Sequence, residues 1–195
     1  MTPLFAIVLA TQIVAIRADR VIDPITGQVA TGQTILVEGG RIRAIGAGLT
    51  PPAGATVYDL PGLTVIPGLI DAHVHLAIGG TVRDNALADL RAGFTTIVDL
   101  GARTHRLLVL RDSINAGHIL GPRVLSAGIW VGRKDGVCEF GGIGIAGGAE
   151  GFRQRVRENI AAGADLIKVC VTGWPADAYA NPDGYELPDG RYARW

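Results

Sequence analysis

Two cysteines in 195 residues, Cys138 and Cys170, are too few for the disulfide framework of a small secreted domain, and no Cys-x-x-Cys pair offers a structural zinc site. Both are expected as free thiols. An excess of charge of either sign is also missing, since 18 Lys and Arg balance 18 Asp and Glu. Without a basic face interleaved with aromatics, nucleic acid is excluded as a partner. Disorder is excluded as well, because 48% of the residues are apolar. Long hydrophobic runs are lacking: the apolar stretch at 4–16 is interrupted by Thr11 and Gln12 and has about 13 residues, against the roughly 20 that a spanning helix takes. No membrane span is expected. The apolar residues 4–9 and the small-residue step Val8-Leu9-Ala10 suit a short signal peptide, but no Lys or Arg precedes them. A cytoplasmic location is therefore favoured, with export through a short N-terminal signal peptide as the alternative; the plainer reading starts the first strand at 12–16.

What the chain does have is punctuation, with 28 glycines and 10 prolines. From residue 12 to about 66, short β runs alternate with turn signals. Residues 34–37 and 42–45 flank Glu38-Gly39-Gly40-Arg41 as a hairpin, and 56–60 forms one more strand before Pro61-Gly62. No segment here has a helical period, so the first third reads as a small all-β unit. After Pro67-Gly68 the rhythm becomes strand 69–76, helix 84–92, strand 94–100, helix 106–116, strand 124–127, helix 151–162 and strand 166–171. The second helix carries Leu107, Leu110 and Ile114 on one face and stops at Gly117. Such alternation predicts βα units on a parallel sheet of four strands. The Gly-rich stretch 141–148 is a loop, lacking the Lys-Ser/Thr ending of a phosphate cradle.

Chemistry concentrates at Asp71-Ala72-His73-Val74-His75. Strand alternation would put Asp71, His73 and His75 on one face. A His-x-His pair at the carboxyl end of a strand is a two-ligand start for a metal site, and it equally describes two satisfied histidines in a turn. Lys168 sits between Ile167 and Val169, where an ammonium is costly to bury; it must be paired, neutralised or modified, or snorkel out at the strand end. Cys170 shares its parity and reads as a small buried hydrophobe. His105 reads as a loop residue beside the site. Asp99 either orients a histidine or caps a helix. His118 reads as structural.

The string Val65-Ile66-Pro67-Gly68-Leu69-Ile70-Asp71-Ala72-His73-Val74-His75 resembles the signature of the amidohydrolase superfamily. Arg103-Thr104-His105, residues 110–117 and residues 163–169 resemble its branch of imidazolonepropionase-like hydrolases and metal-dependent Xaa-Pro dipeptidases; the resemblance extends from residue 14 to about 187. It implies an α/β fold in which a small N-terminal β-sandwich, residues 1–63, precedes a (β/α)8 TIM-like barrel. Residues 64–195 would be the N-terminal half of that barrel, about its first four βα units, since a whole one takes about 250 residues.

The resemblance further implies a divalent metal, with two zinc ions in the intact site. His73 and His75 would hold one ion and a carboxylated Lys168 would bridge to the second, with Asp71, Asp99 and His105 behind the ligands or near substrate. The implied reaction is attack of a metal-activated hydroxide on a C–N bond in a small-molecule amide, cyclic amide or dipeptide. The remaining histidine ligands and the aspartate general base belong to later strands, so no catalytic residue is expected in this chain and the isolated chain is expected to be inactive. The alternative is a non-catalytic fragment or half-barrel binding partner that needs a second chain, either a complementary C-terminal half or another copy. Relatives in this branch carry a Gly-Gly-His near 135–138, where Val137 takes the place of the histidine, and this leaves the substrate open.

Overall fold

The computed structural model describes residues 12–134 and 136–170. It divides into two compact units, Met1–Pro67 and Gly68–Trp195.

In the first unit, strands β1 (Ile13–Ile22), β2 (Val29–Glu38), β3 (Arg41–Ala47) and β4 (Thr56–Val65) form one sheet in the order β3-β2-β1-β4. β1 pairs antiparallel with β2 and parallel with β4. The β2–β3 turn falls on Gly39 and Gly40, whose φ values of 57° and 74° supply the left-handed backbone that a two-residue hairpin turn requires. β4 runs through Pro61-Gly62, where the sequence predicts a stop. A register shift between Ala18 and Arg20 absorbs the irregularity. There Asp19 accepts the Gly62 N–H at 2.7 Å, and Arg20 donates to the Gly62 carbonyl at 2.8 Å. The described residues of this unit form a single sheet, where a sandwich takes two.

In the second unit, β5 (Leu69–Val74), β6 (Phe94–Asp99) and β7 (Arg123–Ser126) form a parallel sheet, with α1 (Val82–Arg91) and α2 (Arg106–Asn115) as the crossovers. Leu76, Ala86, Ile97, Ala102, Leu107, Ile114 and Val124 make the core between sheet and helices. Thr81 caps α1, its hydroxyl accepting the Asp84 N–H at 3.1 Å. Beyond β7 the chain makes β8 (Val131–Gly132), α3 (Gly148–Ala161) and β9 (Val169–Cys170), with β8 and β9 paired in parallel as a separate ladder. Among the described residues no helix is long and apolar enough to cross a membrane.

Three expectations are corrected. The fourth strand does not extend the sheet of β5, β6 and β7: within the described residues it is two residues long and pairs with β8, because Gly128, at φ 70°, breaks the chain between β7 and β8. On α2 the buried side chains are Leu107, Leu108, Arg111 and Ile114, with Leu110 only half-buried. Arg111 is tolerated inside because it donates to Gly163 O and Asp165, both at 2.7 Å, and pairs with Asp112 at 2.8 Å. Finally, Cys138 and Cys170 are not free thiols. The loop after β8 folds back until their Cα atoms are 6.0 Å apart, and they form a disulfide.

Candidate active site

The two histidines lie at the end of β5, where the strand does not alternate strictly. Asp71 pairs with Ile97 and Val74 with Asp99, so three residues of β5 span two of β6. Ile97 and Asp99 share a face, and Asp71 and Val74 therefore share it too. Val74 packs on the core beneath the helices, and Asp71 raises the carboxyl pKa of Asp89 on α1 in addition to the effect of burial. His73 and His75 leave on the opposite side of the strand. Asp71 is thus separated from the pair that strand alternation groups it with, although its carboxylate still accepts the His73 N–H at 2.9 Å.

The imidazoles of His73 and His75 pack edge to face with centroids 5.5 Å apart. His73 is exposed and His75 half-buried. His75 Nδ1 lies 2.9 Å from the Gly101 carbonyl, which can only accept, so Nδ1 carries the hydrogen and Nε2 of the neutral ring keeps a free lone pair. Gly101 itself, at φ 119°, holds a backbone conformation that side chains rarely adopt, and a Cβ there would be tight, 3.0 Å from the Trp130 ring. Trp130 is buried and packs edge-on to His75 with centroids 6.4 Å apart.

Asp99 is fully buried at the end of β6. It accepts from the Leu76 N–H at 2.8 Å, the Gly101 N–H at 3.0 Å and the Ser126 hydroxyl at 3.3 Å. These bonds fix the residue after His75 and the residue whose carbonyl holds His75. Burial pushes the Asp99 carboxyl above its ordinary pKa, against the opposing pull of those N–H groups, of His75 and of Ser126. The helix-capping alternative does not apply, since all three donors lie outside helices.

His105 turns toward α3, its Nε2 2.8 Å from Asn159 Oδ1, and stands at the start of α2. Lys168 is half-buried immediately before β9, its carbonyl accepting the Val131 N–H at 2.8 Å. Among the described residues no group of three or more His, Cys, Asp or Glu side chains is arranged to hold a metal ion. Sequence reasoning missed Gly101 and Trp130. A glycine two residues beyond the strand-ending Asp99 was the available signal for the first, and nothing in the sequence pattern marked the second.

A parallel sheet with crossover helices places the histidine pair at the carboxyl end of its first strand, where βα folds carry their sites. Residues 64–187 match the amidohydrolase family, and the chain belongs to it. A dihydroorotase of Geobacter sulfurreducens is 46% identical over 87 residues, covering 42% of this chain and 20% of that enzyme. Among solved structures, one described as a prolidase from Bifidobacterium longum superposes with a TM-score of 0.70 at 32% identity, over 84% of this chain and 42% of that one. A Xaa-Pro dipeptidase with methionine bound in its active site gives a TM-score of 0.69 at 27% identity, over 84% and 48% of the two chains. The chain spans less than half the length of each.

Proposed function

We propose that this chain supplies the first part of the site of a metal-dependent hydrolase acting on C–N bonds, in an amide, a cyclic amide or a dipeptide. The observation that carries the reading is the locked His75 ring, whose Nδ1 is committed to the Gly101 carbonyl and whose Nε2 is left for a ligand beside His73. His73 and His75 would hold one divalent ion, and Lys168, carboxylated on Nζ, would bridge to a second; imidazole and carbamate donors suit zinc. A metal bound there supplies a Lewis acid that polarises a carbonyl and lowers the pKa of water.

The chain's own residues prepare that site. Asp99 ties the ends of β5, β6 and β7 together, Gly101 fixes the tautomer of His75, and Trp130 packs edge-on against the ring. We read the sheet of β5, β6 and β7 with the β8–β9 ladder as the opening strands of a (β/α)8 barrel, and the four-stranded sheet as one layer of a β-sandwich ending near residue 63. His105 is read as a positioning residue for α3.

The test is elemental analysis of the purified chain beside His73→Ala and Lys168→Ala. Near-stoichiometric zinc that is lost in both variants is the expected result. Equal zinc in all three proteins, or none in the parent, overturns the assignment.

A further inference from the structure

Residues 136–146 lie between β8 and α3 as a strap fastened at several points. The Gly132 N–H donates to Gly144 O and the Ala146 N–H to Gly132 O, both at 2.8 Å, and β-bridges pair Gly132 with Ile145 and Phe140 with Ile143. The strap grips Trp130. The indole N–H donates to Ile143 O at 3.3 Å, and the Phe140 ring packs edge-on with centroids 5.2 Å apart. A side chain at Gly144 would collide with the Trp130 carbonyl and indole. Trp130 in turn packs against His75. At its other side the strap is bolted to β9 by Cys138–Cys170, two residues beyond Lys168. An aromatic stack thus links the strap to His75, and one covalent bond links it to the strand that follows Lys168.

We propose that the Cys138–Cys170 disulfide is a redox latch: a dithiol reductant opens it, frees the 136–146 strap and loosens Trp130 from His75. The consequence for metal rests on the hydrolase reading above, whereas the latch does not. Cys170 is buried and Cys138 only half-buried, so a thiolate of the dithiol attacks Sγ of Cys138 and expels the Cys170 thiolate. The second thiol of the reductant then attacks the mixed disulfide and releases Cys138. Two electrons pass from the dithiol to the cystine, the reductant leaves as its own disulfide, and its two protons end on the two cysteines.

The test uses the whole folded chain, before and after treatment with dithiothreitol and its removal under inert gas. Alkylation followed by mass measurement is expected to count no thiols before reduction and two after it, without denaturant. Arg133 and Lys134 border the strap, and their tryptic cleavage is expected to rise on the order of tenfold or more, because the population of the open form sets the rate. Reoxidation is expected to restore protection. The Cys138→Ala/Cys170→Ala variant is expected to be cut at the rate of the reduced chain without any reductant. A disulfide that resists dithiothreitol until the protein unfolds, or cleavage that stays unchanged on reduction, overturns the latch. Zinc retained equally by both redox states while cleavage rises would overturn its coupling to the site. Absence of zinc in both states would count against the hydrolase reading alone.

Discussion

The orientation of one imidazole depends on a residue with no side chain. Gly101 presents its carbonyl to His75 Nδ1 from a backbone at φ 119°, with Trp130 against the space a Cβ would fill. Gly101→Ala must pay for both the positive φ and the overlap with Trp130, and is expected to cost about 2–3 kcal/mol. Denaturant unfolding measures that cost. Nitrogen NMR of the His75 ring is expected to show the Nδ1–H form giving way to a mixture of tautomers, and an unchanged ring would mean that Gly101 does not set the tautomer. In the first unit, Asp23 gives a cleaner electrostatic test. Its carboxylate accepts the N–H groups of Ile25 and Thr26 at 2.8 and 3.3 Å, and these bonds, the first foremost, hold its pKa below the ordinary 3.8. A depressed carboxylate pKa adds stability that is present above pH 3.8 and lost as the pH falls through the folded value. A carboxyl NMR titration is expected to place Asp23 below 3.8, and Asp23→Ala is expected to flatten the acid limb of the stability profile.

Between elements, the tie of α2 to the turn before β9 is polar. Arg111, with a side chain 9% exposed, meets Asp165, and Asp165 Oδ2 also accepts the Ser126 N–H at 2.9 Å. Asp165→Ala strands the buried guanidinium short of one partner and leaves Ser126 N–H without its acceptor, so a loss of about 2–4 kcal/mol in urea unfolding is expected. Asp165→Asn, which keeps an acceptor oxygen, is expected to recover part of it. This tie was not legible in the sequence, where apolar spacing selected Leu110 and passed over Arg111; a charge enters a core only through partners distant in the chain. The elements that could be read were those with strong local signals: β5, β6 and the three helices fall within a few residues of their predicted bounds. Residues that depend on pairing were harder to see. The two-residue β8 has no pattern of its own, Lys168 stands just outside a strand that its apolar neighbours seemed to extend, and the irregularity in β5 is fixed by β6. The His73–His75 pair was visible because side-chain chemistry marks it directly; the Gly101 carbonyl that orients it is backbone, which a sequence pattern does not display.

In the second unit as a whole, two separate parallel ladders must be held in one body. Polar bonds do part of this: Asp165 N–H donates to Ser126 O at 2.9 Å, and Asn159, fully buried, both donates to Ile129 O at 2.6 Å and accepts from its N–H at 3.1 Å. The Cys138–Cys170 bond acts differently, because it restricts the unfolded chain as well as joining parts of the folded one. Its 32-residue separation corresponds to about 3–4 kcal/mol of loop-closure entropy. For a chain of this size that amounts to a fall of about 6–16 °C in Tm when the bond is removed. Cys138→Ala/Cys170→Ala is expected to show this fall by calorimetry whether or not a reductant is present, and the parent to show it only with reductant. The transition of the first unit is the internal control, since its described strands contain no cysteine and are expected to melt unchanged. A parent protein indifferent to reductant in both transitions would mean that the hydrogen bonds around Asn159 and Asp165 carry the second unit without help from the bond. A fall in the second transition alone would assign the stabilisation to loop closure.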